Sequence, residues 1–325
     1  LFEPYLIVLG FEKEAQYAIE GKNIIFLDKK RLRSALLDIV IKIGQLKPAI
    51  VFGSIGHINV YLGFLKFFFP KIKFIAREAS VYTKMKSFNK RRQLPFILLK
   101  RFYHKLDTIV YQSGDMKKDF QDTFSILPSV GYLIHNPITY HSNKFSIVSE
   151  KITSPFKFII VGSLVVNKGH KRIFELFEKI KFNFVLEVIG DGPLRKELEE
   201  NSKALKIEDK VIFKGLQKDM EAIYTSADFL IQGSYVEGFP NVVLEALSFG
   251  IPCVVYDAPG GHKEMIIEGE NGYIVQNQEE ALKIIEKTIH QHWDRNAIRK
   301  DAFNRFRSEK IIKQYETLFQ KIVDR

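Results

Sequence analysis

The densest chemistry in the chain lies in Gly233-Ser-Tyr-Val-Glu-Gly-Phe-Pro-Asn-Val-Val-Leu-Glu-Ala-Leu-Ser-Phe-Gly250. An apolar run ends at Gln232, a glycine-rich loop exposes Glu237, and Pro240 or Asn241 opens a helix that Gly250 and Pro252 close. The N–H groups near Phe239–Val243 have no partner inside such a helix and sit at its positive end, so they form a seat for an anion. Glu237 on the loop and Glu245 in the helix flank that seat. Phosphate oxygens suit the N–H groups, and carboxylates accept hydrogen bonds from sugar hydroxyls. The layout matches a molecule with a diphosphate in its middle and hydroxyl-rich groups at both ends. Two carboxylates at this spacing are also common as solvated surface residues; the intervening Gly-Phe-Pro-Asn separates the two readings.

Other candidates are weaker. His57, in Gly53-Ser-Ile-Gly-His-Ile-Asn59, stands just past a strand end, where a residue faces a cleft; a helix-start neighbour with no ligand fits equally well. Arg77-Glu78 follows the next strand and reads as a surface ion pair. The chain has no Asp-x-Asp and no Cys/His cluster at zinc spacing, so no metal is expected at the diphosphate. A Ser/His/Asp hydrolase has no nucleophile elbow to support it. The single cysteine, Cys253, lies in an apolar run, which leaves no disulfide framework and points to a reducing compartment.

These residues must be positioned by alternating strands and helices. Strands are expected at Phe156–Val161, Phe184–Ile189, Val211–Phe213, Phe229–Ile231, Cys253–Tyr256 and Gly272–Val275. Helical patterns separate them at Lys171–Lys181, Leu194–Leu205, Lys218–Ser226, Asn241–Phe249, Lys263–Ile267 and Gln278–Gln291. Such units imply a parallel sheet with right-handed crossovers, a doubly wound α/β domain. The first half repeats the grammar. Its expected strands are Leu6–Leu9, Asn23–Leu27, Ile50–Phe52, Lys73–Ala76, Thr108–Tyr111 and Gly131–Ile134, and its helices Arg31–Leu46, His57–Phe69, Leu94–His104 and Asp115–Phe124. Two such domains facing each other create a cleft at the C-terminal ends of both sets of strands. The expected division is 1–138, 139–308, and a last helix, 309–325, that returns to the first domain.

Glu237-Gly-Phe-Pro-Asn-x-x-x-Glu245-Ala-x-x-x-Gly-x-Pro resembles the Glu-x7-Glu signature of retaining glycosyltransferases of family 4, which have the GT-B fold of two Rossmann-like domains. Val161-Gly-Ser-Leu-Val-Val-Asn-Lys-Gly169 resembles that family's phosphate-binding segment. Val188-Ile-Gly-Asp-Gly-Pro193, Val211-Ile-Phe-Lys-Gly215 and Gly260-Gly-His-Lys-Glu-Met-Ile266 follow in the family's order. In the first half the likeness rests on Gln112-Ser113 and Ile134-His-Asn-Pro137.

The resemblance implies a nucleotide-sugar donor, UDP- or GDP-linked, and no other cofactor. It places Glu237 on the hydroxyls of the transferred sugar, Glu245 on the ribose, Lys168 on the diphosphate, and Gly215 and Leu216 near the base. Gly162, Gly190, Gly238, Phe239, Pro240, Asn241 and Val242 complete the donor contacts, and His57 is implied on the sugar or acceptor side. Where the family usually has Arg this chain has Ser163, so Lys168 is expected to act with Arg172 or Lys171. The family also opens with a strand, a Gly-Gly loop and a helix that have no counterpart before Leu1, so about one β-α unit is expected to be missing. The implied reaction retains configuration, with the donor phosphate helping to remove the acceptor proton.

Composition is that of a globular protein, 46% hydrophobic and 27% charged, with no apolar run long enough to span a bilayer. The net charge of +11 is concentrated: residues 66–105 carry twelve Lys/Arg against one acid. Phe64, Phe67, Phe68, Phe69, Phe88, Phe96, Ile97, Leu98, Leu99, Phe102 and Tyr103 are interleaved with them. An anionic membrane surface suits that mixture; a solvated basic face over core aromatics is the plain alternative. Nucleic acid is not expected, since no recognition motif accompanies the charge. The combined expectation is a peripheral enzyme on the cytoplasmic face of the cell membrane, acting on a glycan or lipid-linked acceptor in bacterial surface polysaccharide synthesis. The rival is a non-catalytic nucleotide-sugar-binding protein.

Overall fold

A computed structural model describes residues 2–14, 23–88, 96–139 and 154–324. The first half contains β1 (Leu6–Val8), β2 (Ile24–Phe26), α1 (Leu32–Leu46), β3 (Ile50–Ser54), α2 (Gly56–Leu65), β4 (Lys73–Arg77), α3 (Tyr82–Phe88), α4 (Phe96–Tyr103), β5 (Thr108–Tyr111), α5 (Gly114–Phe124) and β6 (Gly131–Leu133). The second contains β7 (Phe156–Val161), α6 (His170–Glu178), β8 (Phe184–Ile189), α7 (Arg195–Ala204), β9 (Val211–Gly215), α8 (Met220–Thr225), β10 (Phe229–Gln232), α9 (Asn241–Ser248), β11 (Cys253–Tyr256), α10 (His262–Met265) and β12 (Gly272–Val275). Three helices close the chain: α11 (Gln278–Thr288), α12 (Arg295–Phe306) and α13 (Ser308–Val323).

The second half is one parallel sheet in the order β12-β11-β10-β7-β8-β9. Its central strands are buried on both faces, which is why β11 and the first three residues of β10 read as apolar runs rather than alternating ones. Helix α6 buries Ile173, Phe174 and Phe177 against the sheet, and α12 buries Ile298, Ala302 and Phe306 at four-residue spacing. Strand β7 pairs with β10, Phe229 opposite Phe158, and from this pair the chain winds outward in both directions. A crevice opens where such winding reverses, beyond the C-terminal ends of the two strands. The loop after β7 carries Lys168, and the loop after β10 carries Glu237.

The first half departs from a single sheet. Strands β3-β4-β5-β6 form a four-stranded parallel sheet, while β1 and β2 pair only with each other. Aromatic packing rather than a hydrogen-bond ladder joins the two: Phe2 and Phe52 both lean edge-on against Phe319 of α13. Helix α13 lies on the four-stranded sheet, with Ile311, Leu318 and Ile322 packed among Ile75, Val110 and Ile134. The end of the first half and the return to it from α12 are tied together, Ile138 donating to the Phe306 carbonyl at 2.9 Å and Ser308 to the Ile138 carbonyl at 2.7 Å.

Candidate functional site

Lys168 is held by a short helical turn and by Gly169, whose φ of 64° is left-handed. A Cβ at Gly169 would lie 1.8 Å from the Gly233 carbonyl oxygen, so only glycine lets the Lys168 loop touch the Glu237 loop. Gly190, at φ 125°, is equally constrained, since a Cβ there would lie 2.0 Å from the Gly162 carbonyl oxygen. The ends of β7, β8 and β9 thus converge: Gly162 donates to Ile189 at 2.9 Å and Gly190 to Gly215 at 2.8 Å.

Where the two loops meet, Lys168 Nζ reaches Glu237 Oε1 at 2.6 Å, in a pair that is mostly but not wholly buried. Ser234 Oγ donates to the same oxygen at 2.6 Å and Gln232 Nε2 at 3.1 Å. Behind Gln232, its Oε1 meets His262 Nε2 at 2.6 Å. Arg172, expected to act with Lys168, turns its guanidinium to backbone carbonyls of the loop after β10. Its Nε donates to the Gly233 carbonyl at 2.6 Å and its Nη2 to the Ser234 carbonyl, while the guanidinium is sandwiched between Tyr235 and Tyr256 at 4.2 and 4.0 Å. Arg172 therefore pins the loop that presents Glu237. Lys171 pairs with Glu197 at 2.5 Å, and Ser163 is exposed.

Helix α9 begins after Pro240. Glu245 Oε2 accepts from Tyr224 Oη at 2.7 Å; burial raises its pKa, and the tyrosine bond pulls the other way. Asn241 is engaged across the seam between halves, its Oδ1 accepting from Asn136 Nδ2 at 2.6 Å. Phe239 is buried, stacked on His135, and Pro240 is also buried; Val242 is half-buried against the core. These three side chains belong to packing. Leu216 follows β9 with 80% of its surface exposed.

The opposing wall comes from the first half. Gly114, at the start of α5, donates to Glu264 Oε1 at 2.6 Å; Glu264 Oε2 pairs with His135; and Asp115 accepts from the Gly260 N–H at 3.0 Å. A Cβ at Gly238 would lie 2.2 Å from the Ala79 carbonyl oxygen, and Val236 is buried in the apolar core of the first half. Neither the seam contacts of Glu264, Asp115 and Val236 nor the support from Tyr224, Gln232 and His262 was legible beforehand. Only Gly260-Gly-His-Lys-Glu264 carried a signal, as a quoted motif with no role attached. His57 is exposed near the start of α2, directly after Ile55, a β-branched residue held at φ 86° where such residues are rarely found.

Arg77 and Glu78 correct an expectation, because they are not a surface ion pair. Arg77 donates to Ser54 Oγ and to Asn136 Oδ1, so Arg77, Asn136 and Asn241 form a chain across the seam. Glu78 is buried, accepting from Asn59 Nδ2 and Tyr103 Oη at 2.6 Å each, and burial pushes its pKa up to about 7 against those two bonds. Successive residues of an extended segment point opposite ways, which separates the two charges.

The basic window also divides. Leu99 and Tyr103 are core residues, with Phe69 and Phe102 packed against them, and Lys66 pairs with Asp107 at 2.8 Å. Phe64, Phe67, Phe68, Phe88, Ile97 and Leu98 are exposed, as are Lys71, Lys84, Lys86, Arg101 and Lys105. Lys90, Arg91 and Arg92 lie outside the described residues. Among the described residues no helix is long and apolar enough to cross a membrane.

A family model described as glycosyl transferases group 1 matches residues 142–305. N-acetyl-alpha-D-glucosaminyl L-malate synthase of Bacillus anthracis is 27% identical over 230 residues, 68% of this chain and 58% of that protein. The N-acetylgalactosamine-N,N'-diacetylbacillosaminyl-diphospho-undecaprenol 4-alpha-N-acetylgalactosaminyltransferase of Campylobacter jejuni is 29% identical over 180 residues, 55% of this chain and 49% of that protein. Lipopolysaccharide 1,6-galactosyltransferase of Escherichia coli is 31% identical over 155 residues, 44% of this chain and 41% of that protein. The matched parts thus span about half the length of these curated relatives. Among solved structures, the lipopolysaccharide outer core galactosyltransferase WaaB superposes with TM-score 0.73 at 20% identity, covering 92% of this chain and 84% of that one. Sucrose-phosphate synthase from Thermosynechococcus elongatus gives 0.76 at 15% identity, covering 97% and 88%. The shared architecture is GT-B.

Proposed function

The chain belongs to the glycosyl transferases group 1 family, and from that premise we propose that it moves a hexosyl or N-acetylhexosaminyl unit from a UDP- or GDP-linked donor to a glycan or lipid-linked acceptor, retaining anomeric configuration. The observation that carries this reading is the Lys168–Glu237 pair at the crevice between β7 and β10, with Glu245 farther along α9. A diphosphate entering the crevice competes with Glu237 for the Lys168 ammonium and takes the N–H groups at the start of α9. Lys168 then stabilises negative charge as it develops on the leaving group. Glu237, still held by Ser234 and Gln232, accepts from hydroxyls of the transferred sugar. Glu245, steadied by Tyr224, accepts from the ribose, and exposed Leu216 offers the base an apolar face.

The acceptor occupies the first-half wall near His57. Its hydroxyl attacks the anomeric carbon on the face the diphosphate leaves. The bond from that carbon to the phosphate oxygen breaks, the bond to the acceptor oxygen forms, and the hydroxyl proton passes to the departing phosphate. No protein base is required. The relatives' names support the coarse substrate class, since one names a diphospho-undecaprenol and another lipopolysaccharide. The exposed Phe67, Phe68, Ile97 and Leu98 among basic residues suit an anionic membrane surface where such acceptors reside. The test is a panel of UDP- and GDP-sugars incubated with the full chain and a bacterial lipid extract, with products read by mass spectrometry. One donor should give a product one sugar heavier. Glu237→Gln should lower its turnover far more than its affinity for the free nucleoside diphosphate. Nucleotide binding with no product from any donor would instead favour the non-catalytic reading.

A further inference from the structure

Glu237 takes three hydrogen bonds on one oxygen, and the third leads inward. Gln232, the last residue of β10, is buried, and so is His262, the first residue of α10. The direction of their hydrogen bonds follows from chemistry. A carboxylate only accepts, so Gln232 must turn its amide NH2 toward Glu237 Oε1, at 3.1 Å. Its carbonyl oxygen then faces His262, and His262 must donate from Nε2, at 2.6 Å. Burial is the largest influence on His262 and lowers its pKa, outweighing the opposing pull of Glu237 and of the Ala258 carbonyl. The imidazole is therefore neutral near pH 7, with its proton on Nε2.

We propose that Gln232 and His262 are positioning residues for Glu237: a buried chain from the His262 Nε2–H through the Gln232 amide occupies Glu237 Oε1 and leaves Oε2 to meet the transferred sugar. The proposal rests on the reading that Glu237 contacts that sugar. It adds a division of labour within the carboxylate. Lys168 can exchange Glu237 for a phosphate when the donor arrives, whereas Gln232 and Ser234 cannot follow it, so they keep the side chain from swinging with the ammonium. The chain also crosses from β10 to α10, the element whose Glu264 binds Gly114 and His135 in the first half. The orientation of Glu237 is thereby tied to an anchor of the seam.

The experiment uses the full chain, the donor identified by the product panel, and UDP and GDP as binding probes. Gln232→Leu should lower kcat about 10- to 100-fold, the size of one lost hydrogen bond to a charged group, and His262→Phe about 3- to 10-fold, the size of one lost neutral bond, with KM and nucleoside diphosphate affinity within about threefold. The double variant should be no slower than the slower single, because one chain is cut twice. His262→Gln, which keeps an N–H near the Nε2 position, should recover most of the loss. Nitrogen-15 NMR of the unaltered protein should show His262 as the neutral Nε2–H tautomer, a readout independent of any variant's folding. An Nδ1–H tautomer, losses that multiply in the double variant, or a KM effect with kcat unchanged each overturns the proposal. If Glu237→Gln slows transfer while Gln232→Leu does not, the inference alone fails. If Glu237→Gln leaves kcat intact, the reading of the site fails first and takes this inference with it.

Discussion

Glu78→Gln isolates a buried carboxyl with a strongly raised pKa. The wild-type carboxyl is buried, with a pKa raised from 4.5 to about 7 mainly by burial. Between those two values the native state holds a proton that the unfolded chain has released. Stability therefore falls as pH rises across the window, by about 1.4 kcal/mol per pH unit and about 3 kcal/mol in all. Below pH 4.5 both states are protonated and above pH 7 both are ionised, so the contribution is flat outside it. Glutamine carries no charge, yet its Oε1 can still accept from Asn59 Nδ2 and Tyr103 Oη. The variant and the wild type should melt alike near pH 5. At pH 8 the variant should melt higher by about 6–12 °C, at roughly 2–4 °C per kcal/mol. Differential scanning calorimetry at pH 5, 6, 7 and 8 gives the difference curve, in which all other titrating groups cancel. A wild-type-minus-variant difference that does not change with pH refutes the argument, whatever the absolute melting temperatures.

Three further outcomes are expected. Glu245→Ala should weaken UDP or GDP binding by about 1.5–3 kcal/mol in calorimetry, as for a hydrogen bond to a charged group; unchanged affinity removes the ribose assignment. Transfer should continue in excess EDTA, and loss of turnover restored by manganese or magnesium contradicts the role given to Lys168. The protein should sediment with anionic but not neutral vesicles and be released by salt, at about 1 kcal/mol per basic residue near the surface; equal partitioning to both refutes membrane attachment, and an oligonucleotide mobility shift at physiological salt would point to nucleic acid.

The second half was legible because its strands are short apolar runs set between amphipathic helices, and strands such as Cys253–Tyr256 have no polar face to confuse the period. Helix α3 escaped notice because it is only seven residues long and none is fully buried; its contact with the core is confined to the partly buried Tyr82 and Met85. Helix α12 has only Ile298 and Phe306 as large apolar residues on its buried face, the other contact positions being Arg295 and Ala302. That β1 and β2 pair only with each other, with Phe2 and Phe52 meeting on the distant Phe319, is encoded in no local pattern. In the site, motif spacing brought out Lys168, Glu237 and Glu245. Their partners Tyr224, Gln232 and His262 lie on other elements and look like ordinary core residues in the sequence. The setting of Arg172 was hidden for a related reason: the Gly233 carbonyl and two tyrosine rings that hold it belong to other elements.

Val236 gives the Glu237 loop a second fastening, opposite to that of Arg172. One side of the loop is riveted to α6 through Arg172, and one residue before the carboxylate the chain plugs a valine into the other half's core. A hinge motion that parts the halves must extract Val236, at about 1.5–3 kcal/mol for a fully buried side chain of its size, or stretch the loop at Glu237 itself. The loop then works as a strain gauge. Separation of the halves and misalignment of the carboxylate become a single mechanical event, so under the proposed function a parted molecule would keep its grip on a nucleotide through α9 while being unable to act on the sugar.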